Sequence, residues 1–241
     1  MAATAAGQRL TEAHRLAQAR LGASTIQAMR AVWPLLDPLA LDASFQRWLT
    51  AALPIINGQR SQSARLAASY LSAYKKLELG PDAVVNAVLV EMIPAEQVTT
   101  ALRVSGPVSI KRAAMRGELL TKAVNVAESN TARSGLRLAL GGGRDTITAT
   151  TRADRQAQGW ARATSGRPCA FCAMLASRGP MYDAESVHFH AHDGCHCTAE
   201  PVYRSDSALP AGSQQWADLW TEATRAPGDT ETVFRQLVAS T

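Results

Sequence analysis

Aromatic residues are scarce in this 241-residue sequence: they make up 5% of it, although 46% of its residues are hydrophobic. The core must therefore consist mainly of aliphatic side chains, and the abundance of Ala and Leu favours helices. Cysteine is also rare, with only four residues. The apolar content is sufficient for one large domain or two smaller ones. We expect a mainly α protein.

Long hydrophobic runs are missing. The most apolar stretch, residues 83–93, is too short to cross a bilayer and is followed by Pro94. The first ten residues lack the apolar segment of a secretory signal peptide. We therefore expect no membrane contact, and we expect the thiols to stay reduced because the chain is not exported.

The motifs of several common enzyme classes are missing as well. The sequence has neither G-x-S-x-G nor H-E-x-x-H. The glycine run 141–143 lacks the Lys-Ser/Thr of a phosphate loop, so it is predicted to be a hinge or turn that ends a helical body. A serine protease needs a general base beside its nucleophile. Apart from His14, the histidines lie in one cluster, where Ser186 near His188 is the least implausible pair.

The sequence does contain a concentration of metal-binding side chains. All four cysteines and four of the five histidines lie between residues 169 and 197. A C-x-x-C pair is followed by an H-x-x-C-x-C cluster, and two such pairs can surround a tetrahedral zinc ion. We expect a structural zinc, with five candidate ligands for four positions: Cys169, Cys172, His192, Cys195 and Cys197.

Alternative interpretations of this cluster stay open. A catalytic zinc would need a nearby general base, for which Glu185 and Asp193 are the closest candidates. Disulfides are disfavoured without export, and a redox C-x-x-C is disfavoured without a βαβ unit. His188, His190 and His196 are interpreted as exposed imidazoles or as hydrogen-bond partners of the ligands.

Helical periodicity covers most of the chain. Pro54 is predicted to end or kink the second helix, for which Asp42 is the expected N-cap. A break is expected at 105–107. The predicted helices span residues 8–33, 42–54, 61–79, 82–92, a short segment from Pro94, 109–140, 154–163, 213–223 and 230–238. Residues 146–151 are β-prone, and short strands are expected after the turn at 178 and at 198–203. These features predict a helical body at 1–144, a small α+β zinc module at 145–204 and an acidic helical tail at 205–241.

The net charge of +5 is unevenly distributed. Residues 103–178 contain 13 Lys/Arg and 4 Asp/Glu, for a net charge of +9. Of the 25 cationic residues, 21 are Arg, whose planar guanidinium suits phosphate contacts. This pattern predicts either a solvated basic helix face or non-specific contact with DNA.

The Cys/His segment at 169–203 resembles the C-terminal motif of phage head-morphogenesis proteins, the Mu F-like minor capsid proteins of tailed bacteriophages. Their common pattern is C-x-x-C-x-x-L-x-G, then H-P-x-C-R-C and a short strand. Here His192-Asp193 replaces His-Pro, and Cys195-His196-Cys197 replaces Cys-Arg-Cys, so the ligand atoms are kept. The form is similar to that in actinobacterial phages, some members of which are labelled capsid maturation protease.

The resemblance implies a minor head protein that associates with the portal protein, the scaffold and the major capsid protein during procapsid assembly. It implies a location inside the virion near the portal, after assembly in the host cytoplasm, and packaging or ejection with DNA. The leading hypothesis is a non-enzymatic structural protein. A capsid maturation protease and a zinc-stabilised DNA-binding module are the alternatives.

Overall fold

The computed structural model describes residues 4–164, 166–179, 189–204 and 213–241. The prediction of a mainly helical protein is confirmed. The helices are α1 (Ala5–Val32), α2 (Leu41–Leu79), α3 (Ala95–Arg103), α4 (Ser109–Met115), α5 (Leu120–Ala153), α6 (Ala170–Ser177), α7 (Ser213–Arg225) and α8 (Thr230–Ala239). The strands are β1 (Gly159–Ala163) and β2 (Thr198–Val202).

Three long helices, α1, α2 and α5, pack against one another and form the body of the protein. α1 begins at the N-cap Thr4, whose hydroxyl accepts a hydrogen bond from the backbone N–H of Gly7 at 2.9 Å. It ends in a 3₁₀ turn, Trp33–Leu35, where the predicted helix also ends. The aromatic side chains of Trp33, Phe45 and Trp48 fill one end of the core. This packing buries most of the few aromatic residues in the N-terminal half of the chain.

α2 is a single helix where two were predicted. Pro54 lies inside it and is exposed, whereas Ala52 and Ile56 beside it are fully buried. Proline removes one helical hydrogen bond, and the burial of the flanking apolar residues outweighs that loss. The N-cap is Ala40, and Asp42 instead lies in the first turn. The predicted end at Leu79 is confirmed.

The predicted helix at 82–92 is wrong, because this segment runs extended beside α5. The backbone N–H groups of Val88 and Val90 donate to the hydroxyls of Thr150 and Thr146, at 2.9 and 3.0 Å. These side-chain acceptors replace the hydrogen bonds that a helix would supply. The same contacts explain why β-prone threonines occur in a helix.

The predicted break at 105–107 is also wrong. A π-helical turn, Val104–Val108, joins α3 directly to α4 and keeps Pro107 within it. The chain instead breaks between α4 and α5, where Gly117 has φ +76°. A left-handed conformation of this kind favours glycine and ends the helix.

The glycine run 141–143 is neither a hinge nor a turn, because α5 continues through it. A Cβ on Gly142 would lie 2.2 Å from the backbone oxygen of Arg60 in α2. A Cβ on Gly143 would lie 2.6 Å from Nε2 of Gln18 in α1. The glycines therefore allow three helices to approach closely. The predicted boundary at residue 144 falls inside α5, and the division into three units stays a prediction.

The predicted helix at 154–163 is wrong as well, since α5 ends at Ala153 and β1 follows. β1 pairs antiparallel with β2, with Trp160 opposite Pro201, and every residue of both strands is buried. The strand expected at 198–203 is thus confirmed. The strand expected after the turn at 178 lies outside the described residues.

The two predicted tail helices are confirmed as α7 and α8. Both pack on α6, the helix that follows β1. Trp216 and Phe234 are buried there against the small side chains of Ala173 and Ala176. Within the described residues the acidic tail therefore covers the face of α6 that carries these alanines.

Candidate metal centre

Two of the predicted ligands lie at the start of α6. Cys169 is the N-cap residue, and its Sγ accepts a hydrogen bond from the backbone N–H of Cys172 at 3.4 Å. Both thiols therefore lie at the N-terminal end of α6. Cys169 is exposed and Cys172 is buried, so the pair extends from the surface into the protein.

The other three predicted ligands lie in the turn before β2. The backbone N–H of Cys195 donates to the carbonyl of His192 at 3.1 Å, and Gly194 between them has φ +83°. A Cβ at this glycine would also lie 2.6 Å from Nε of Arg133 on α5. Cys197 directly precedes β2, so the strand pairing fixes its position.

The fold brings these two halves together. The Sγ atoms of Cys172 and Cys195 are 3.6 Å apart. Nε2 of His192 lies 3.0 Å from Sγ of Cys169 and 3.8 Å from Sγ of Cys172. The ligand atoms form two sets of three, and within each set all three atoms lie within 4.8 Å of one another. One set comes from Cys169, Cys172 and His192, and the other from Cys172, Cys195 and Cys197. Cys172 belongs to both sets.

These spacings fit a tetrahedral ion. Zn–S bonds of about 2.3 Å place two sulfur ligands about 3.8 Å apart, and a sulfur and a nitrogen ligand about 3.6 Å apart. The distances from Cys172 to Cys195 and to His192 are close to these values. The Cys169–His192 distance is shorter, so this pair would separate slightly to share an ion. The five residues could hold a metal ion, and which four of them do so stays a prediction.

The ring of His192 is oriented for ligation. Its Nδ1 lies 2.9 Å from the backbone oxygen of Asp193. A carbonyl oxygen only accepts hydrogen bonds, so Nδ1 carries the proton and Nε2 carries the free lone pair. Nε2 is the atom that faces the thiols. A hydrogen bond from the second ring nitrogen to a carbonyl is typical of metal-binding histidines.

The remaining histidines lie outside the two sets of ligand atoms, or outside the described residues. His190 is exposed, and its backbone oxygen accepts a hydrogen bond from Arg162. His196 is half-buried, and its ring lies near Gly22 of α1. His188 lies outside the described residues, as do Ser186 and Glu185.

Sequence reasoning missed two buried arginines that contact the cluster. Arg144 of α5 donates from Nε to the backbone oxygen of Cys197 at 2.9 Å and from Nη2 to that of Cys195. Arg162 of β1 lies with Nη1 at 3.6 Å from Sγ of Cys172. Its guanidinium also lies 3.8 Å above the ring of Phe189.

These arginines provide positive charge, which offsets the negative charge of a cluster rich in thiolates. A guanidinium stays charged in proteins, so its burial requires a nearby anion. Burial lowers the pKa of Arg144, while the neighbouring thiolates oppose that shift. Hydrogen bonds from the thiols of Cys172 and Cys197, with help from Arg144, lower the pKa of Cys195. The only sequence signal for this role was the excess of Arg at 103–178, which does not indicate individual residues.

Two candidates for acid–base chemistry are already engaged. His14 is buried and stacks on Tyr70 with ring centroids 4.4 Å apart, and burial lowers its pKa to about 3. Asp193 accepts a hydrogen bond from Nε of Arg137 at 2.6 Å. Neither side chain is therefore placed to act as a general base at the cluster.

Comparison with known families assigns the chain. Residues 5–223 match the family model described as VG15 protein. The chain belongs to the VG15 family. VG15 is a family of phage proteins, so the phage origin inferred from the Cys/His motif is confirmed. Searches of curated proteins and of solved structures found no match to this VG15 chain. Among the residues that the structure describes, no helix has both the length and the apolarity to cross a membrane.

Proposed function

We propose that this VG15 protein is a non-enzymatic minor capsid protein of the Mu F-like type, which acts with the portal, scaffold and major capsid proteins in procapsid assembly. Assembly takes place in the host cytoplasm, and the protein ends inside the head near the portal, where it can be packaged or ejected with DNA. One observation carries the proposal: both halves of the Cys/His motif converge on Cys172. The resemblance to Mu F-like proteins rests on that motif.

The metal in this proposal is a structural zinc. Thiolates and an imidazole form the ligand set that zinc prefers, and carboxylates, the ligands of magnesium and calcium, are missing from the two sets of ligand atoms. A zinc ion here would join the start of α6 to the turn before β2. That connection would stabilise a part of the chain whose described residues form one short helix and two short strands.

A structural role agrees with the surroundings of the cluster better than catalysis does. Of the cluster residues, Cys172, Cys195 and Cys197 are buried, and two buried arginines offset their charge. A catalytic zinc keeps an open position for water and a base beside it. Asp193, the nearest described carboxylate in the turn, is paired with Arg137.

The test is the location of the protein in assembling heads. Co-expression with the portal, scaffold and major capsid proteins of the same phage should give procapsids that contain this chain. Its amount should follow the amount of portal rather than that of major capsid protein. Absence from procapsids and from virions would contradict the proposal. Cleavage of scaffold or capsid protein by the purified chain would instead support a maturation protease.

Non-specific DNA contact through residues 103–178 belongs to the same proposal. Many cations of this region are exposed, among them Arg112, Arg155 and Arg167. Contact with phosphates releases counterions, so affinity should fall steeply between two salt concentrations. A titration with duplex DNA at about 50 and 200 mM salt measures this dependence. No binding at the lower concentration would exclude the contact.

A further inference from the structure

A cavity of about 570 Å³ lies beside the metal centre. Its walls come from α2, from α5, from the extended residues 90–94 and from residues 189 and 191, which precede the His192 turn. The volume falls in the range of about 300–1,000 Å³ that is typical of small-molecule sites. Four arginines line it: Arg60, Arg137, Arg144 and Arg152.

Two of these arginines are neutralised within the protein. Nη2 of Arg60 pairs with Asp145 at 2.6 Å, and its other nitrogens donate to the backbone oxygens of Leu138 and Met92. Arg137 pairs with Asp193 at 2.6 Å. Each of these carboxylates offsets the charge of one of the four arginines.

The other two arginines retain donors. In the described part of the chain, Arg152 makes no ion pair and is exposed at the cavity. Arg144 is 3% exposed, and its Nη1 is buried without a hydrogen-bond partner among the described residues. Its Nε and Nη2 donate to the backbone carbonyls of Cys197 and Cys195, in the turn at residues 192–197 that we call the metal turn. The guanidinium therefore cannot rotate without breaking those bonds. Its charge is therefore held in place beside the cavity and, together with that of Arg152, gives the cavity a positive potential.

Much of the rest of the wall is apolar, with contributions from Val90, Ile93, Leu138 and Phe189. Gln97, Asp145 and Thr148 add polar groups to it. A small inorganic ion would satisfy the arginines but leave this surface exposed to water. A ligand with an apolar or aromatic part would cover the surface as well and gain hydrophobic binding energy.

We propose that this cavity binds an organic oxyanion, a molecule with one phosphate or carboxylate group attached to an aromatic or apolar body. The oxyanion accepts hydrogen bonds from Arg152 and is attracted by the charge of Arg144, and the body lies against Val90 and Ile93. Because Arg144 also holds the carbonyls of Cys195 and Cys197, bound ligand and metal turn stabilise each other. The exposed cations named for the proposed DNA contact, Arg112, Arg155 and Arg167, do not line this cavity.

Isothermal titration of the metal-loaded full chain tests this proposal, with phenyl phosphate, benzoate, inorganic phosphate and, at matched ionic strength, sodium chloride as probes. We expect saturable binding of phenyl phosphate or benzoate, weaker binding of inorganic phosphate and no saturable heat from chloride. The tighter of the first two identifies phosphate or carboxylate as the natural head group.

Three variants sharpen the test. Arg152→Gln should weaken binding about tenfold, because a charge-assisted hydrogen bond is lost. Arg155→Gln, which removes an exposed arginine just beyond the end of α5 that does not line the cavity, should change affinity less than twofold. Ala149→Phe should block the cavity without removing charge and abolish binding. Absence of saturable binding by all organic probes, or equal affinity of Arg152→Gln and the unmodified chain, would overturn the proposal.

Discussion

The glycine run in α5 offers a quantitative test of the fold. Gly142 and Gly58 both lie inside helices, but their surroundings differ. A Cβ on Gly142 would lie 2.2 Å from the backbone oxygen of Arg60, whereas a Cβ on Gly58 would have no atom within 4 Å. The substitutions Gly142→Ala and Gly58→Ala therefore make the same chemical change in a crowded and in an open position.

The helix propensity favours alanine at both positions by about 1 kcal/mol. At Gly58 nothing opposes this gain, so the free energy of unfolding should rise by about 0.5–1 kcal/mol. At Gly142 the new methyl group meets a backbone atom, which cannot rotate away as a side chain would. Overpacking costs about 1–3 kcal/mol and occasionally more. The contact is severe, so we expect a net loss of about 2 kcal/mol.

Thermal unfolding followed by circular dichroism measures both effects. A change of 1 kcal/mol corresponds to about 2–4 °C in Tm for a chain of this size. Gly58→Ala should raise Tm by about 1–4 °C, and Gly142→Ala should lower it by about 4–8 °C. An unchanged or increased Tm of Gly142→Ala would show that α2 and α5 are farther apart, which would also refute the reason given for the glycine run.

The remaining predictions concern the metal centre and a buried histidine. Elemental analysis should find about one zinc per chain, and His192→Ala should lose most of the metal because it removes a ligand. Arg144→Gln should lower the free energy of unfolding by about 3 kcal/mol, because it removes a charged donor from two buried carbonyls; urea unfolding measures the loss. The pKa of His14 is about 3 in the folded protein and 6.5 ordinarily. The unfolded chain therefore binds more protons between these values, and stability should fall by about 2 kcal/mol from pH 7 to pH 5.

Each of these predictions has a control. His190→Ala should keep its zinc, and equal metal loss in both histidine variants would contradict the ligand assignment. Arg155→Gln should leave the free energy of unfolding nearly unchanged, since that arginine is exposed. For the pH effect the control is His14→Phe, which keeps a ring against Tyr70 but cannot be protonated. If the two proteins lose the same stability between pH 7 and pH 5, His14 does not cause the loss.

The candidate metal ligands and the terminal helices could be predicted because their signals are local. Cys169 and Cys172 belong to a spacing that places two thiols on one helical turn, and Trp216 and Phe234 recur at helical intervals. α1 ends just before Pro34 and α2 just before Gly80, and both ends follow from properties of single residues.

The errors occurred where tertiary contacts override local preference. Thr146 and Thr150 are β-prone, but they serve as hydrogen-bond acceptors for an extended segment that crosses α5. Gly142 weakens a helix intrinsically and is retained because α2 lies against it. Arg144 and Arg162 give no individual sequence signal, because their partners are backbone carbonyls and a thiol that only the folded chain brings next to them.

α5 holds the metal turn at several points: Arg133 binds the backbone oxygen of Asp193, Arg137 binds its carboxylate, and Arg144 binds the carbonyls of Cys195 and Cys197. A rotation or translation of α5 would pull on the candidate metal ligands. For a protein loaded with zinc, the rate at which a chelator extracts the ion should therefore respond to movements of the helical body. In an assembled particle, that rate would report whether docking onto neighbouring proteins leaves α5 in place or shifts it.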